Sequence, residues 1–201
     1  MLIAGKITNG ELLPGDVVRE SDLCQSLGVS RTPVREAMIE LCSARMLTAV
    51  PHKGFVVRER SRKEKQDVYD ILAVLDAQAA VSAMERMTEE DLDALRELAD
   101  FIDVAVRHRN YSEYCRLQQS FHDRYRHKSG NELLMQMFQE LEDRFVMPTY
   151  LSTDKGALFQ VYAQMNVEHR RIIELFAQHN REDLFRFLAF THWRTQFDDM
   201  I

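Results

Sequence analysis

The sequence predicts a mainly α-helical protein with one short β-hairpin in its first third. Apolar residues recur at helical spacing from about residue 66 almost to the end of the chain. The 201 residues include only seven glycines and four prolines, which favours helices over disorder. Two short apolar runs near residue 50 are separated by a turn sequence with proline and glycine. Since 45% of the residues are hydrophobic, the chain can bury one large core or two small ones.

The formal charge of −6 is distributed unevenly along the chain. Residues 1–66 contain eleven Lys and Arg against eight Asp and Glu, which is a net charge of +3. Residues 67–201 contain fifteen against twenty-four, a net charge of −9, and the two parts add up to −6. Only the first part is therefore suited to meet a polyanion.

The sequence carries no signal for a membrane or for secretion. No run of eighteen apolar residues occurs, and the N-terminus lacks a signal-peptide pattern. The three cysteines, Cys24, Cys42 and Cys115, lie far apart and form no metal-type pair such as CxxC. We therefore expect a cytoplasmic protein with reduced thiols.

Residues 1–60 predict a first domain with a helix, a turn, two further helices and a hairpin, in that order. The predicted elements are helices at Leu2–Asn9 and Glu20–Leu27, a third helix that starts near Ser30 or Thr32, and strands at Leu47–Val50 and Phe55–Val57. Gly28 ends the second helix, and Pro33 is tolerated in the first turn of the third, where its missing N–H costs nothing. Residues 51–54 form a basic tip between the strands.

This order of elements is that of a winged helix-turn-helix. In this fold the second helix of the pair lies in the major groove of DNA, with its N-terminal side chains at the base edges. Arg31 and Arg35 lie four residues apart on one face of that helix, and arginine can bind guanine with two hydrogen bonds. Lys53 in the hairpin tip can reach a phosphate. The alternative is that the two arginines only solvate a surface helix.

Two segments resemble the DNA-binding domain of the GntR family of bacterial regulators. They are Gly10-Glu11-Leu12-Leu13-Pro14-Gly15-Asp16 and Leu27-Gly28-Val29-Ser30-Arg31-Thr32-Pro33-Val34-Arg35-Glu36-Ala37. The resemblance implies a dimer that binds a short palindromic operator. The contacts that it implies are Ser30, Arg31, Thr32 and Arg35 in the recognition helix and His52, Lys53 and Gly54 in the wing. Because the chain begins close to the Pro14-Gly15 turn, we expect a shortened first helix.

Residues 61–66 predict a polar linker, and residues 67–201 predict a second, all-helical domain. Breaks in the periodicity divide this domain into about six helices. Their expected ranges are 66–87, 89–108, 111–128, 131–148, 157–179 and 181–199. With no strand pattern in this part, an antiparallel bundle is the simplest packing.

Three of the seven histidines, His122, His169 and His192, lie on or beside the apolar face of their own predicted helices. One inward histidine is more often a core residue with satisfied hydrogen bonds than a ligand. Three on separate helices are more typical of a metal site in a bundle, and imidazole suits Zn²⁺ or Ni²⁺. The spacing leaves open whether the three converge.

The second domain resembles the FCD ligand-binding domain of the FadR-type branch of GntR regulators. The resemblance rests on Phe121-His122, Ser129-Gly130-Asn131, Glu168-His169 with Ile172, and His192. It implies that His122, His169 and His192 hold a divalent metal, which helps to bind a carboxylate effector such as an organic or sugar acid. Further residues expected near the effector pocket are Gln118, Asn166 and Asp76.

Two positions depart from the pattern of this family. Gln118 stands where many relatives have an aspartate ligand, so a neutral carbonyl oxygen replaces an anionic one. Leu72 stands where many relatives have an arginine that could face an anion, and Asp76 follows one turn later, where glutamate is common. A pocket without metal is therefore an alternative to the metal site.

The predicted function is that of a homodimeric regulator, more often a repressor in such families, whose DNA affinity changes when a small molecule binds. One alternative is a metalloenzyme on the three histidines, with Glu168 as its base. Glu168 neighbours His169 and so points about 100° away on a helix, and no HExxH, nucleophile elbow or phosphate loop occurs. The other alternative is a bundle with structural histidines and a protein effector or none.

Overall fold

The computed structural model describes residues 2–8, 11–59, 61–145 and 155–194. They form two compact units, the first built from the residues up to 64 and the second from most of the chain after them. Each unit has its own hydrophobic core. Within the described ranges, none of the helices combines the length and the hydropathy that a membrane span requires.

The first unit is a winged helix-turn-helix. Its elements are α1 (Leu2–Thr8), β1 (Val17–Val18), α2 (Glu20–Leu27), α3 (Arg31–Ser43), β2 (Leu47–Val50) and β3 (Gly54–Val57). The sheet is antiparallel in the order β1-β3-β2, and in the wing Leu47 pairs with Val57 and Val50 with Gly54. The sequence does not predict β1, because two residues are too few for an alternating pattern to be recognised.

Local sequence explains how α3 presents its exposed face. α2 ends at Gly28, whose N–H donates to the Cys24 carbonyl, and Ser30 is extended before α3 begins. Val34 and Met38 are buried one turn apart, so the face of α3 opposite to them meets solvent. The buried apolar core of this unit consists of Ile3, Ile7, Val18, Val34, Met38, Met46, Leu47, Phe55 and Val57.

The described part of the second unit contains six helices, the number that the sequence predicts. They are α4 (Arg62–Ala83), α5 (Glu89–Arg107), α6 (Tyr111–Arg126), α7 (Glu132–Phe145), α8 (Lys155–Ala177) and α9 (Arg181–Phe187). The side chains of Thr88, Asn110 and Asn180 cap α5, α6 and α9 by accepting hydrogen bonds from backbone N–H groups. These caps are readable from the sequence, and the three helices begin at the predicted residues.

Helix α4 begins at Arg62, inside the segment 61–66 that the sequence predicts as a linker. Ser61 and Glu64 form a capping box at this start. The Ser61 hydroxyl accepts from the Glu64 N–H (3.2 Å), and the Glu64 carboxylate accepts from the Ser61 N–H (3.1 Å). Arg58 also pairs with Glu64. The polar composition of this segment thus conceals a helix start, and most of the expected linker is helical.

Helix α9 passes into a π-helical turn, Leu188–His192, where the sequence predicts one helix over 181–199. Such turns are rare and often occur at functional sites. This one buries His192 and its neighbour Trp193 together. Residues 195–199 of the predicted helix, and 146–148 of the helix predicted at 131–148, lie outside the described residues.

Candidate metal centre and nucleic-acid interface

The structure brings the three predicted histidines together in the core of the second unit. His122 lies on α6, His169 on α8 and His192 at the end of the π turn. Each has at most 2% of its surface exposed. One ring nitrogen of each lies within 4.8 Å of those of the other two. The spacing of the apolar stripes predicted that the three side chains point inward, and their convergence, which the spacing left open, is seen in the structure.

The Nδ1 atom of His122 lies 2.7 Å from the hydroxyl of Tyr125 and 3.3 Å from the Asp76 carboxylate. The Tyr125 hydroxyl donates its proton to Asp76, at 2.8 Å and 2.9 Å from the two oxygens. It can therefore only accept from His122, which requires the proton of this imidazole to be on Nδ1. The Nε2 atom of His122 then carries a lone pair.

Asp76 joins three elements of the second unit. Its carboxylate accepts from Arg126 Nε (2.6 Å) and from Trp193 Nε1 (3.0 Å) as well as from Tyr125. Burial alone would raise the pKa of this carboxyl group. The Arg126 charge and the hydrogen bonds from His122 and Arg126 outweigh burial and hold the pKa well below its usual range. Asp76 is therefore an anion that orients His122 and is paired with a buried cation.

In the other two histidines, too, the Nδ1 atom faces a hydrogen-bond acceptor. Glu168 Oε2 lies 2.8 Å from His192 Nδ1, and Asn166 Oδ1 lies 3.2 Å from His169 Nδ1. The Asn166 amide donates its protons to the Ala99 carbonyl (2.8 Å) and to Asp103 (2.6 Å), which fixes its oxygen toward His169. Both rings therefore carry a proton on Nδ1, which leaves Nε2 as the nitrogen that can bind a metal.

Three imidazole rings thus converge in a space closed to solvent. The Nε2 atoms of His122 and His192 are 3.3 Å apart, so a proton on one of them or a cation bound by both accounts for their close approach. Among the described residues, the buried Nε2 of His169 has no hydrogen-bond partner. A carbonyl or carboxylate behind each ligating ring is typical of histidine metal sites. The residues present therefore fit a divalent metal ion.

The protonation of the rings favours the same interpretation. Burial lowers the pKa of His122 to about 4, and the nearby Arg126 cation adds to this effect. Burial also holds the pKa of His169 well below its ordinary value, with His192 and His122 contributing. Both rings are neutral at pH 7, which is the form that binds a metal.

The remaining residues predicted for the pocket take different places. Gln118 lies one helical turn before His122 and is half-buried. Leu72 is completely buried on α4, and Asp76 and Asn166 are buried behind the imidazoles. Glu168 contacts the Nδ1 edge of His192, the edge away from the three Nε2 atoms, so a base acting on a metal-bound water would not lie there.

Sequence reasoning missed three of the partners of Asp76. Tyr125 lies three residues after His122, so helical spacing could have identified it. Arg126 is 1% exposed, and its guanidinium lies 3.8 Å from the Phe138 ring. Burial of an arginine is unusual, and the periodicity of apolar residues does not predict it. Trp193 directly follows the π turn and donates to Asp76 across 117 positions of sequence, a contact that helical spacing cannot indicate.

The residues predicted to contact DNA lie on the exposed surface of the first unit. Arg31, Thr32 and Arg35 are exposed on α3, and the Arg35 Nε atom is 3.9 Å from Glu20, a distant pair that holds it weakly. His52, Lys53 and Gly54 are exposed at the wing. Gly54 has φ 91°, a conformation that other residues rarely adopt, so the close turn requires a glycine there. Two groups of side chains are thus available to a polyanion.

Comparison with protein families gives two matches that together cover most of the chain. Residues 2–57 match the family described as bacterial regulatory proteins, gntR family. Residues 67–189 match the FCD domain. The boundary between the matches falls at the passage from the first unit to the second.

Similar proteins and structures agree with these matches. The chain is 29% identical over 177 residues to an uncharacterized HTH-type transcriptional regulator, YdhC, of Bacillus subtilis, covering 88% of this chain and 78% of that protein. It is 27% identical over 188 residues to the Nta operon transcriptional regulator of Aminobacter aminovorans, covering 94% and 86%. The structure of E. coli McbR/YncC has a similar fold, with a TM-score of 0.75, 23% identity and coverage of 98% of this chain and 92% of that one.

Proposed function

Because the chain belongs to the GntR family of bacterial regulatory proteins and carries an FCD domain, we propose that it is a transcriptional repressor controlled by a small-molecule effector. The first unit binds an operator, and the second binds the effector at the histidine cluster. Since the family consists of transcriptional regulators, the histidines need no catalytic role.

The observation that carries this proposal is the convergence of three buried imidazole rings in the core of the second unit. His122, His169 and His192 would hold one Zn²⁺ or Ni²⁺ ion, with the half-buried Gln118 beside them. Such an ion would keep a coordination position for a carboxylate oxygen of an organic or sugar acid. Asp76, Asn166 and Glu168 hold the three rings in the ligating tautomer.

The DNA-binding surface consists of the exposed face of α3 and the wing. Ser30, Arg31, Thr32 and Arg35 contact base edges and adjacent phosphates, and His52, Lys53 and Gly54 contact the backbone. A homodimer places two copies of α3 on the two halves of a palindromic operator. A repressor of this kind works in the bacterial cytoplasm.

Control follows from the difference in effector affinity between two arrangements of the dimer. An effector that binds more tightly to the arrangement with poor operator affinity shifts the population toward it. A coupling of about 1–3 kcal/mol between the two sites would change operator affinity by roughly 5- to 150-fold.

Metal analysis of protein purified without chelator or affinity tag tests the proposal. We expect near-stoichiometric Zn or Ni in the wild type and loss of that metal in His169→Ala, because His169 supplies one of the three nitrogens. His108→Ala is the matched control, since His108 is exposed at the end of α5. Metal-free wild-type protein that still binds DNA would contradict the metal site and favour a pocket without metal.

A further inference from the structure

We propose that Glu168 is a positioning residue that supplies the negative charge of the metal site from behind His192. This inference rests on the proposed function, since it requires an ion at the three histidines. Glu168 lies on α8 and is 8% exposed. Its Oε2 atom is 2.8 Å from Nδ1 of His192, on the edge of the ring opposite to the cluster.

Among the residues that the structure describes, those placed to ligate an ion at this site are neutral. Three imidazoles protonated on Nδ1 carry no charge, and the amide of Gln118, one turn before His122, carries none either. An ion with two positive charges in a closed core needs negative charge nearby, because transfer of an uncompensated charge from water is costly. Within the described residues, that charge can come from groups that contact the rings from outside.

Tyr125, Asp76, Asn166 and Glu168 contact the three rings within the described part of the chain, and Asp76 and Glu168 are acids. Asp76 is paired with the buried Arg126 at 2.6 Å, so its charge is already compensated. Glu168 differs from it. Within the part of the chain that the structure describes, its hydrogen-bond partner is His192, and no Arg or Lys lies within ion-pair distance of it. Among the described residues in contact with the cluster, Glu168 is therefore the acid whose charge no Arg or Lys compensates.

Charge at this position acts on the ion through the imidazole. A carboxylate that accepts the Nδ1 proton makes Nε2 a stronger electron-pair donor and fixes the ring orientation. The same contact joins α8 to the π turn across 24 residues of sequence, so Glu168 also determines where His192 stands before any ion arrives. One side chain thus sets both the electrostatics and the geometry of the third ligand.

The variant Glu168→Gln tests the charge separately from the hydrogen bond, because glutamine retains an oxygen that accepts the Nδ1 proton. Zn²⁺ affinity of the full-length protein is measured by competition with a chelating dye. We expect Zn²⁺ to bind about 10- to 100-fold more weakly than to the wild type. The matched control is Glu174→Gln, which removes the same charge from an exposed position on the same helix and should bind as the wild type does. Thermal unfolding of the metal-free variants verifies that each is folded.

A second variant returns the charge at another point. Replacing Gln118 by Asp in the Glu168→Gln protein places a carboxylate one turn before His122, and we expect it to restore most of the lost affinity. Equal Zn²⁺ affinity of Glu168→Gln and Glu174→Gln would overturn the assignment, and so would a double variant that binds no more tightly than Glu168→Gln. Wild-type protein that binds no Zn²⁺ would overturn the metal site itself, so the two failures are distinguishable.

Discussion

Arg35 and Lys53 represent, at the scale of single residues, two kinds of DNA contact. We expect Arg35→Ala to weaken operator binding by about 1–3 kcal/mol and to relax base preference, because it removes a base-edge contact. Lys53→Ala should weaken binding to all sequences alike. The slope of log K against log [salt] should also become less steep by about 1, because one phosphate contact is lost. Binding to operator and scrambled DNA at several salt concentrations measures both effects.

The control for both is Arg96→Ala, which removes one positive charge from an exposed residue of α5. It should leave operator affinity and its salt dependence unchanged. If Arg35→Ala binds operator and scrambled DNA with the affinities of the wild type, α3 does not read the sequence through this residue.

Residues of the histidine cluster differ in how well the sequence predicts them. The inward positions of His122, His169 and His192 follow from helical spacing, because each lies on or beside the apolar stripe of its own helix, but their convergence does not. Glu168 does not follow, since its partner His192 is 24 positions away and on another element. Spacing reports which face of a helix a residue occupies, whereas contacts between helices depend on packing that one sequence does not reveal.

The 3₁₀ turn after α6, His127–Ser129, gives a prediction at the scale of elements. It ends at Gly130, which has φ 70°, and a Cβ there would lie 3.0 Å from Nη1 of Arg86. That nitrogen donates to the carbonyls of Lys128 and Ser129, so it cannot move without losing these bonds. We expect Gly130→Ala to lower the free energy of unfolding by about 1–2 kcal/mol, measured by urea denaturation.

The control for this substitution is Gly5→Ala in α1. An added Cβ at Gly5 meets no atom within 4 Å, and alanine favours a helix over glycine by up to about 1 kcal/mol. The two substitutions should therefore change stability in opposite directions. If both substitutions lower the free energy of unfolding by the same amount, the loss at Gly130 does not come from its left-handed backbone conformation or from its contact with Arg86.

The elements that the sequence predicts well are those with a local signal. Asn110 and Asn180 begin α6 and α9 because their short side chains cap the first turn. The start of α4 is missed because the capping box at Ser61 lies within a charged segment, although its residues are readable. The π turn at Leu188–His192 has no such local signal, since packing around His192 and Trp193 decides it.

At the scale of the whole molecule, the two parts of the chain differ both in net charge and in the hydrophobic core that each one forms. Residues 1–66 carry a net charge of +3 and residues 67–201 carry −9, so a polyanion attracts the first part and repels the rest. The core of the first unit and the core around α5, α6 and α8 consist of different residues. Each unit therefore has the contacts that a cooperative unfolding transition requires.

Calorimetric unfolding of the full-length protein should then show two transitions that respond to different ligands. Zn²⁺ at about 100 times its Kd should stabilise the second unit by about 2.7 kcal/mol, and His169→Ala should abolish this shift. Operator DNA should raise the other transition in both proteins. A single transition raised by either ligand would contradict two independently unfolding units. Because coupling between sites is reciprocal, any shift that Zn²⁺ causes in the DNA-binding transition measures how much control passes between the units.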